Sequence, residues 1–597
     1  MSLQPYFRVA VTLRRWAPVL LCLSLPLSRA DAQDYKDNKA LVAQLKQLER
    51  THRKVLRAEK ACDTPDKNEV WRVELGAGSD DERGRRPAML VVAGIEGNDL
   101  AGTASAIAWI ESLAKAYEAD EKIKKLLDST TIYVWPRLNP DGVKHFFARP
   151  RLEQATNDQP SDDDHDGLVD EDGPDDLNGD GLISWIRVED TEGEFIPDPA
   201  EPRLMVKADR LKGERGAWRY LLEGRDNDGD KKFNEDGIGG VNFNRNFPYG
   251  FRFFAAGSGR HQISETETRA LADFVIAHPN IGITFTFGAA DNLLQTPKGE
   301  APKRPPVALH EEDVAWYRES GKAWREALGL KKELGGGTEP GAFSDWMYFH
   351  RGRLSLAARP WSPALQLELA KAAKAKDEKP KDEDAKKENE SRPDKPDAEK
   401  DKKTAEKGKE PDTRNEEERA FLKWIDENSK DSFVPWNAYE HPDFPGKKVE
   451  IGGFAPFVKT NPPEKLLAEL AGKHGRFLTD LAGKLPRIAV RKTEAKHLGE
   501  SVFDVTMQVE NTGYLPTALA QGGLTREVHP TRVVLKTDPK HLLSGERTTM
   551  LNAIQAGEMK EVRWVVRAKG LKKLELEVVS MLGGRTQTSV ELKEEAK

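Results

Sequence analysis

Five short apolar runs punctuate the first part of the chain: EVWRVEL at 69–75, AMLVVAG at 88–94, TTIYVWP at 130–136, GITFTF at 282–287 and LSLAA at 354–358. Stretches with helical spacing lie between them, at 101–118, 265–277 and 311–328. Strands alternating with helices predict an α/β domain with a largely parallel or mixed sheet. Upstream, residues 39–60 place Leu41, Leu45, Leu48, Val55 and Leu56 near one helical face, which predicts a helix there as well.

Three other segments depart from this pattern. Residues 1–32 read as a secretory signal: Arg8, Arg14 and Arg15, the apolar run WAPVLLCLSLPL, then Ala30-Asp31-Ala32 as a cleavage site. The run is too short to span a bilayer, and no later segment is long enough, so the mature chain is expected to be exported, periplasmic or extracellular, without a transmembrane segment. Residues 370–420 begin AKAAKAKDEKPKDEDAKKENESRPDKPDAEKDKKTAEKGKEPD, with no aromatic, Ile, Val, Leu or Met, and are expected to be disordered. The end of the chain, with FDVTMQV (503–509), RVVLK (532–536), VRWVVRA (562–568) and LELEVVS (574–580), reads as a small β-sandwich. The expected order is therefore signal (1–32), α/β domain (33–369), charged segment (370–420), a closing part of the α/β domain (421–486) and sandwich (487–597).

Charge and cysteine content narrow the function. With 100 acidic and 93 basic side chains, nothing points to nucleic acid. Cys22 lies in the signal, so the mature chain keeps only Cys62 and has no internal disulfide.

Residues 91–102, VVAGIEGNDLAG, form a strand running into a Gly-rich turn that presents Glu96 and Asp99 three residues apart. Downstream come RLNPDG (137–142), GGVNFNRNFP (239–248), GAFSDWMYFHRGRLSLAARPW (341–361) and HPDFPGKKVEIGGF (441–454). In this order and spacing the chain resembles the zinc metallocarboxypeptidases of the carboxypeptidase A and T type, chiefly over residues 40–360. The resemblance implies a mixed sheet flanked by helices, a zinc ion held by an H-x-x-E pair and a later histidine, an Asn-Arg pair gripping the substrate's C-terminal carboxylate, and a glutamate general base.

Carried over by position, the substrate pair is Asn244 and Arg245, whose guanidinium suits a carboxylate. The zinc-ligand positions hold Glu96, Asp99 and Gly288 (Phe285 if the register slips), and the general-base position holds Arg359, which cannot take a proton. A further substrate-binding arginine is either Arg149 or Arg151. No intact catalytic residue is implied, and zinc is not expected although typical of the family. Arg359 is expected to bridge Glu96 and Asp99 in place of the metal. His310, in HEED (310–313), reads as a helix start rather than a zinc site.

An acidic insertion at about 158–237 carries an internal repeat, DDDHDGLVDEDG (162–173) and DNDGDKKFNEDG (226–237), with DLNGDGLI (176–183) between. Oxygen-bearing side chains at alternate positions resemble an EF-hand-like loop and predict structural calcium at Asp162, Asp164, Asp166, Asp170, Asp176, Asn178, Asp180, Asp226, Asp228, Asp230 and Glu235. The leading expectation is an exported, catalytically inactive carboxypeptidase-like protein that binds the free C-terminal carboxylate of a peptide or cell-wall peptide. The alternatives are an active metallocarboxypeptidase with unusual metal ligands, and a structural or adhesive calcium-stabilised module.

Overall fold

The computed structural model describes residues 34–160, 169–170, 172–227, 229, 233–234, 239–377 and 413–593. The signal at 1–32, the linker 378–412, and Asp162, Asp164, Asp166, Asp228, Asp230 and Glu235 lie outside the described residues.

In chain order the first part reads α1 (Asn38–Thr51), β1 (Leu56–Asp63), β2 (Glu69–Leu75), α2 (Asp80–Arg85), β3 (Ala88–Val92), α3 (Leu100–Ala116), α4 (Glu121–Ser129), β4 (Thr131–Trp135) and α5 (Pro140–Phe147). Four strands follow within the insertion: β5 (Trp185–Glu189), β6 (Phe195–Asp198), β7 (Glu201–Lys207) and β8 (Trp218–Leu222). The chain returns through α6 (Thr266–Ala277), β9 (Ile281–Phe287), the short pair β10 (Gly299–Glu300) and β11 (Leu309–His310), α7 (Val314–Leu328), α8 (Phe343–Phe349), β12 (Leu354–Ala358) and α9 (Pro363–Asp377). Next come α10 (Glu416–Asn428), β13 (Phe433–Ala438), β14 (Val449–Phe454) and α11 (Leu467–Ala482).

The central sheet has the order β1-β2-β4-β3-β9-β12. β4, β3, β9 and β12 run parallel, while β1 and β2 join antiparallel at one edge. Helices cover both faces. Met89 and Val91 pack against α1, α3, α7 and α11, whereas Ala88, Leu90 and Val92 pack against α6 and α8. Each fully buried aliphatic side chain contributes about 1.5–3 kcal/mol relative to exposure, which is why so continuous a run as AMLVV belongs in the middle of a sheet.

Three expectations need correction. The helix foreseen over 39–60 stops at Thr51, and Val55 and Leu56 turn inward at the start of β1, which pairs with β2 through Leu56↔Leu75 and Ala58↔Val73. Apolar spacing alone does not separate a continuing helix from a turn and a strand, and the open edge of β2 decides the matter here. The insertion, read only as acidic loops, also contains β5–β8, which join β13 and β14 in a second, antiparallel sheet ordered β13-β14-β5-β8-β6-β7. The charged segment is helical at both ends: α9 continues to Asp377 and α10 begins at Glu416, as Ala-, Lys- and Glu-rich sequence permits.

The C-terminal strands are β15 (Ile488–Gly499), β16 (Val502–Asn511), β17 (Thr531–Lys536), β18 (Leu542–Ser544), β19 (Thr548–Leu551), β20 (Met559–Arg567), β21 (Lys573–Ser580) and β22 (Gly584–Glu591). They form two antiparallel sheets, β15-β16-β20-β18 and β19-β17-β21-β22, around Val505, Met507, Val533, Trp564 and Val578. This layer is tied to the α/β domain by polar contacts. The Asp313 carboxylate accepts from the amides of Ala520 and Gln521, and buried Arg353 reaches Met581 Sδ at 3.6 Å.

Candidate functional site

β3 delivers the chain into the turn Gly94–Asn98, and Asp99 then caps α3, its Oδ1 accepting from Gly102 N at 2.8 Å. Gly94 adopts φ +55°, and a Cβ there would meet Thr103 Oγ1 at 2.8 Å, so this position requires glycine. Two further amides at the helix start, those of Leu100 and Ala101, donate to Asn461 Oδ1 at 2.9 and 3.1 Å. Thus a residue from the closing segment finishes the cap.

Glu96 is 2% exposed. Its Oε1 accepts from Asn244 Nδ2 at 2.9 Å, and Asn244 Oδ1 in turn accepts from Phe343 N. A Cβ on Gly288 would lie 2.4 Å from Glu96 Oε2 and 2.9 Å from Ile95 Cγ2. A Cβ on Gly102 would lie 2.4 Å from Asp99 Oδ2 and 2.6 Å from Phe287 Cβ. The fold therefore gathers Glu96, Asp99 and Gly288 at the ends of β3 and β9. Phe285, the alternative in the register, is fully buried with its ring against Phe287 and Trp324.

Burial, reinforced by the nearby Asp99 charge, pushes Glu96 up to about 7, and burial pushes Asp99 up to about 6. Glu96 Oε2 and Asp99 Oδ2 have no hydrogen-bond partner among the described residues. The expected arginine bridge is not there. Arg359 is exposed, its Nη2 donates to Ala289 O at 3.0 Å, and among the described residues it forms no ion pair with either carboxylate. The reason is that β12 ends at Ala358 and Arg359 N is held by Asp291 Oδ2 at 3.0 Å, which anchors the residue beside Asp291 rather than beside the two buried acids.

This donor set does not fit zinc. One position is a glycine whose side-chain space is filled by Glu96 itself, and neither remaining position offers the imidazole or thiolate that zinc favours. Among the described residues no group of three or more His, Cys, Asp or Glu side chains converges as a metal site. His310 caps the turn before α7, its side chain accepting from Glu312 N.

Arg245 lies in the short turn after Asn242. It pairs with Glu339 (Nε to Oε2 2.6 Å), and its Nη1 donates to Ala256 O at 3.1 Å. Glu339 belongs to the Gly-rich loop 335–341, which also walls a cavity of about 220 Å³ through Gly336, Gly337 and Thr338. Asp291, Ser344 and Asp345 line the rest; Asp345 accepts from Thr338 Oγ1 at 2.7 Å, and burial raises it to about 6. Arg149 is exposed and reaches Gly181 O at 3.4 Å, whereas Arg151 lies 4.8 Å over the Phe146 ring.

In the acidic insertion, Asp176 accepts from the amides of Gly179, Asp180 and Gly181, Asn178 from Asp180, and Asp180 from Leu182. Asp226 repeats the first contact, accepting from Gly229 N at 2.6 Å, and Asp170 adopts φ +53°. Sequence reasoning did not find Glu339, Asn461 or Asp345 as site residues. Asp345 sits inside a quoted motif, but nothing local marks Glu339 or Asn461, which reach the site only through the tertiary fold.

Comparison with known proteins now bears on this geometry. Residues 41–180 match the family profile described as zinc carboxypeptidase, and residues 487–591 match one described as a domain of unknown function (DUF8731). The chain is similar to carboxypeptidase D of Anas platyrhynchos, 35% identical over 74 residues, or 12% of this chain and 5% of that protein. It is similar to carboxypeptidase M of Mus musculus, 26% identical over 128 residues, or 21% and 29%. The chain thus spans only a minor part of either relative. Among solved structures it is similar to carboxypeptidase A from Helicoverpa armigera, with 12% identity, a TM-score of 0.36, and coverage of 55% of this chain and 64% of that one.

Proposed function

We propose that this chain, whose residues 41–180 match the zinc carboxypeptidase profile, belongs to that family and binds the C-terminal carboxylate of a peptide or cell-wall peptide without hydrolysing it. The observation that carries this reading is the position of Glu96, whose carboxyl fills the space beside Gly288 where the third zinc ligand of the family would stand. Arg245 supports the binding half of the reading. It already holds a carboxylate, that of Glu339, through Nε and Nη2 to one oxygen, and the adjoining cavity suits one side chain. A bound peptide would displace Glu339 and place its terminal side chain near Asp345. Calcium in the acidic insertion would hold the second sheet beside this groove, and residues 1–32 would direct export. Among the described residues no helix is long and apolar enough to cross a membrane.

Calorimetry with matched peptides, one with a free and one with an amidated C-terminus, tests the reading. Arg245→Ala should weaken the free-acid peptide about tenfold or more, the scale of one charge-assisted hydrogen bond, and leave the weaker amide nearly unchanged. Equal losses for both would rule out a carboxylate clamp at Arg245.

A further inference from the structure

Between α1, α3 and α11 the surface opens into a cleft of about 920 Å³. Its walls mix polar side chains with an apolar stretch that includes Leu41, Leu100, Ala104, Ile107 and Ala471, and Gly472 leaves room on α11. Arg137, two residues beyond β4, forms part of the lining, yet it is only 2% exposed. Its Nη2 donates to Lys36 O at 2.7 Å, while Nε and Nη1 have no hydrogen-bond partner among the described residues. Among the described residues no carboxylate forms an ion pair with it, and Asp37 acts on it only through its charge. Thr103 also lines the cleft, and its hydroxyl likewise has no partner. Both residues abut Gly94, where a Cβ would lie 2.8 Å from Thr103 Oγ1 and 3.4 Å from Arg137 Cγ. Burial lowers the Arg137 pKa to about 10, which still leaves a full positive charge at neutral pH.

Burying a charged fork with two idle N–H groups is costly, and such groups are ordinarily paired. The rim does not supply the pairing charge. It is mixed in sign, and Lys115 there is already bonded to Glu111. The unmet demand lies at the inner end, where it calls for a planar anion carried by an apolar body, since the cleft is within the usual size of ligand sites. We propose that this cleft binds a free carboxylate on an extended alkyl chain, with the carboxylate against Arg137 and Thr103 and the chain along α3 and α11. This site is separate from the Arg245 groove and does not depend on what that groove binds.

Decanoate is a suitable probe, with decanol as the uncharged control. Calorimetry and thermal melts of the whole protein should show decanoate binding and raising the melting temperature, and decanol binding at least about tenfold more weakly. R137M should abolish that preference for the acid. It should melt no lower than the parent, because it removes an unpaired buried charge, so loss of binding would not reflect unfolding. G472L fills the cleft from the α11 side, where an added Cβ meets only Arg476 Nη1 at 3.8 Å, and should block both probes. The proposal is overturned if decanoate fails to bind, if R137M binds it as tightly as the parent does, or if G472L leaves binding intact.

Discussion

Glu96→Gln should stabilise this protein in alkaline solution and leave it nearly unchanged in acid. Burial next to Asp99 raises Glu96 from 4.5 to about 7, so the folded state holds a proton that the unfolded chain has released. Stability associated with this group is therefore full below about pH 4.5 and is lost as the pH rises through about 7. A shift of that size corresponds to about 3 kcal/mol at 1.36 kcal/mol per pH unit. Glutamine keeps an oxygen for Asn244 Nδ2 and carries no charge, so it avoids the penalty. Urea melts of parent and variant, run from pH 4.5 to pH 8.5, should give stabilities that coincide at the acid end and diverge by about 3 kcal/mol in favour of the variant at the alkaline end. The reasoning is refuted if Glu96→Gln is the less stable protein at pH 8, because that would mean the ionised Glu96 is stabilised by a cation rather than penalised by burial.

Three further outcomes follow from the same geometry. Gly288→Ala should cost about 1–3 kcal/mol in a denaturant melt, since its Cβ would strike Glu96 Oε2 and Ile95 Cγ2 in a packed interior. Asn461→Ala should cost about 1–2 kcal/mol by removing the acceptor for the Leu100 and Ala101 amides, and a change below a few tenths would show that this cap is dispensable. Calcium should raise the melting temperature relative to EGTA, less so after Asp176→Ala and Asp180→Ala, and coincident curves would leave these loops as solvated turns.

Much of the α/β core was legible because its strands are buried on both faces and must be apolar throughout. β3 and β9 show this, and their ends locate Glu96 and Gly288. The helix–strand boundary near Val55 was not legible, because a buried Val-Leu pair serves either element and only the exposed edge of β2 selects a strand. The second sheet escaped notice because its strands come from segments more than two hundred residues apart, such as β5 and β14, and pair only in three dimensions. At the site, the altered ligand positions could be read from the resemblance, but their consequence could not. Two acids side by side suggested a compensating arginine. The folded interior instead buries both acids, which raises the pH at which each ionises, and Arg359 turns outward to Ala289. Which remedy the chain adopts depends on burial, which the sequence does not state.

The central claim is that the domain retains a carboxylate clamp without peptidase chemistry, and a turnover assay with metal control tests it most directly. Purified protein would be incubated with peptides ending in apolar or basic residues, with zinc added and with a chelator added, and released amino acids counted by mass spectrometry. The account expects release at the background rate in every arm. Zinc-dependent release that the chelator abolishes, and that Glu96→Gln also abolishes, would contradict it.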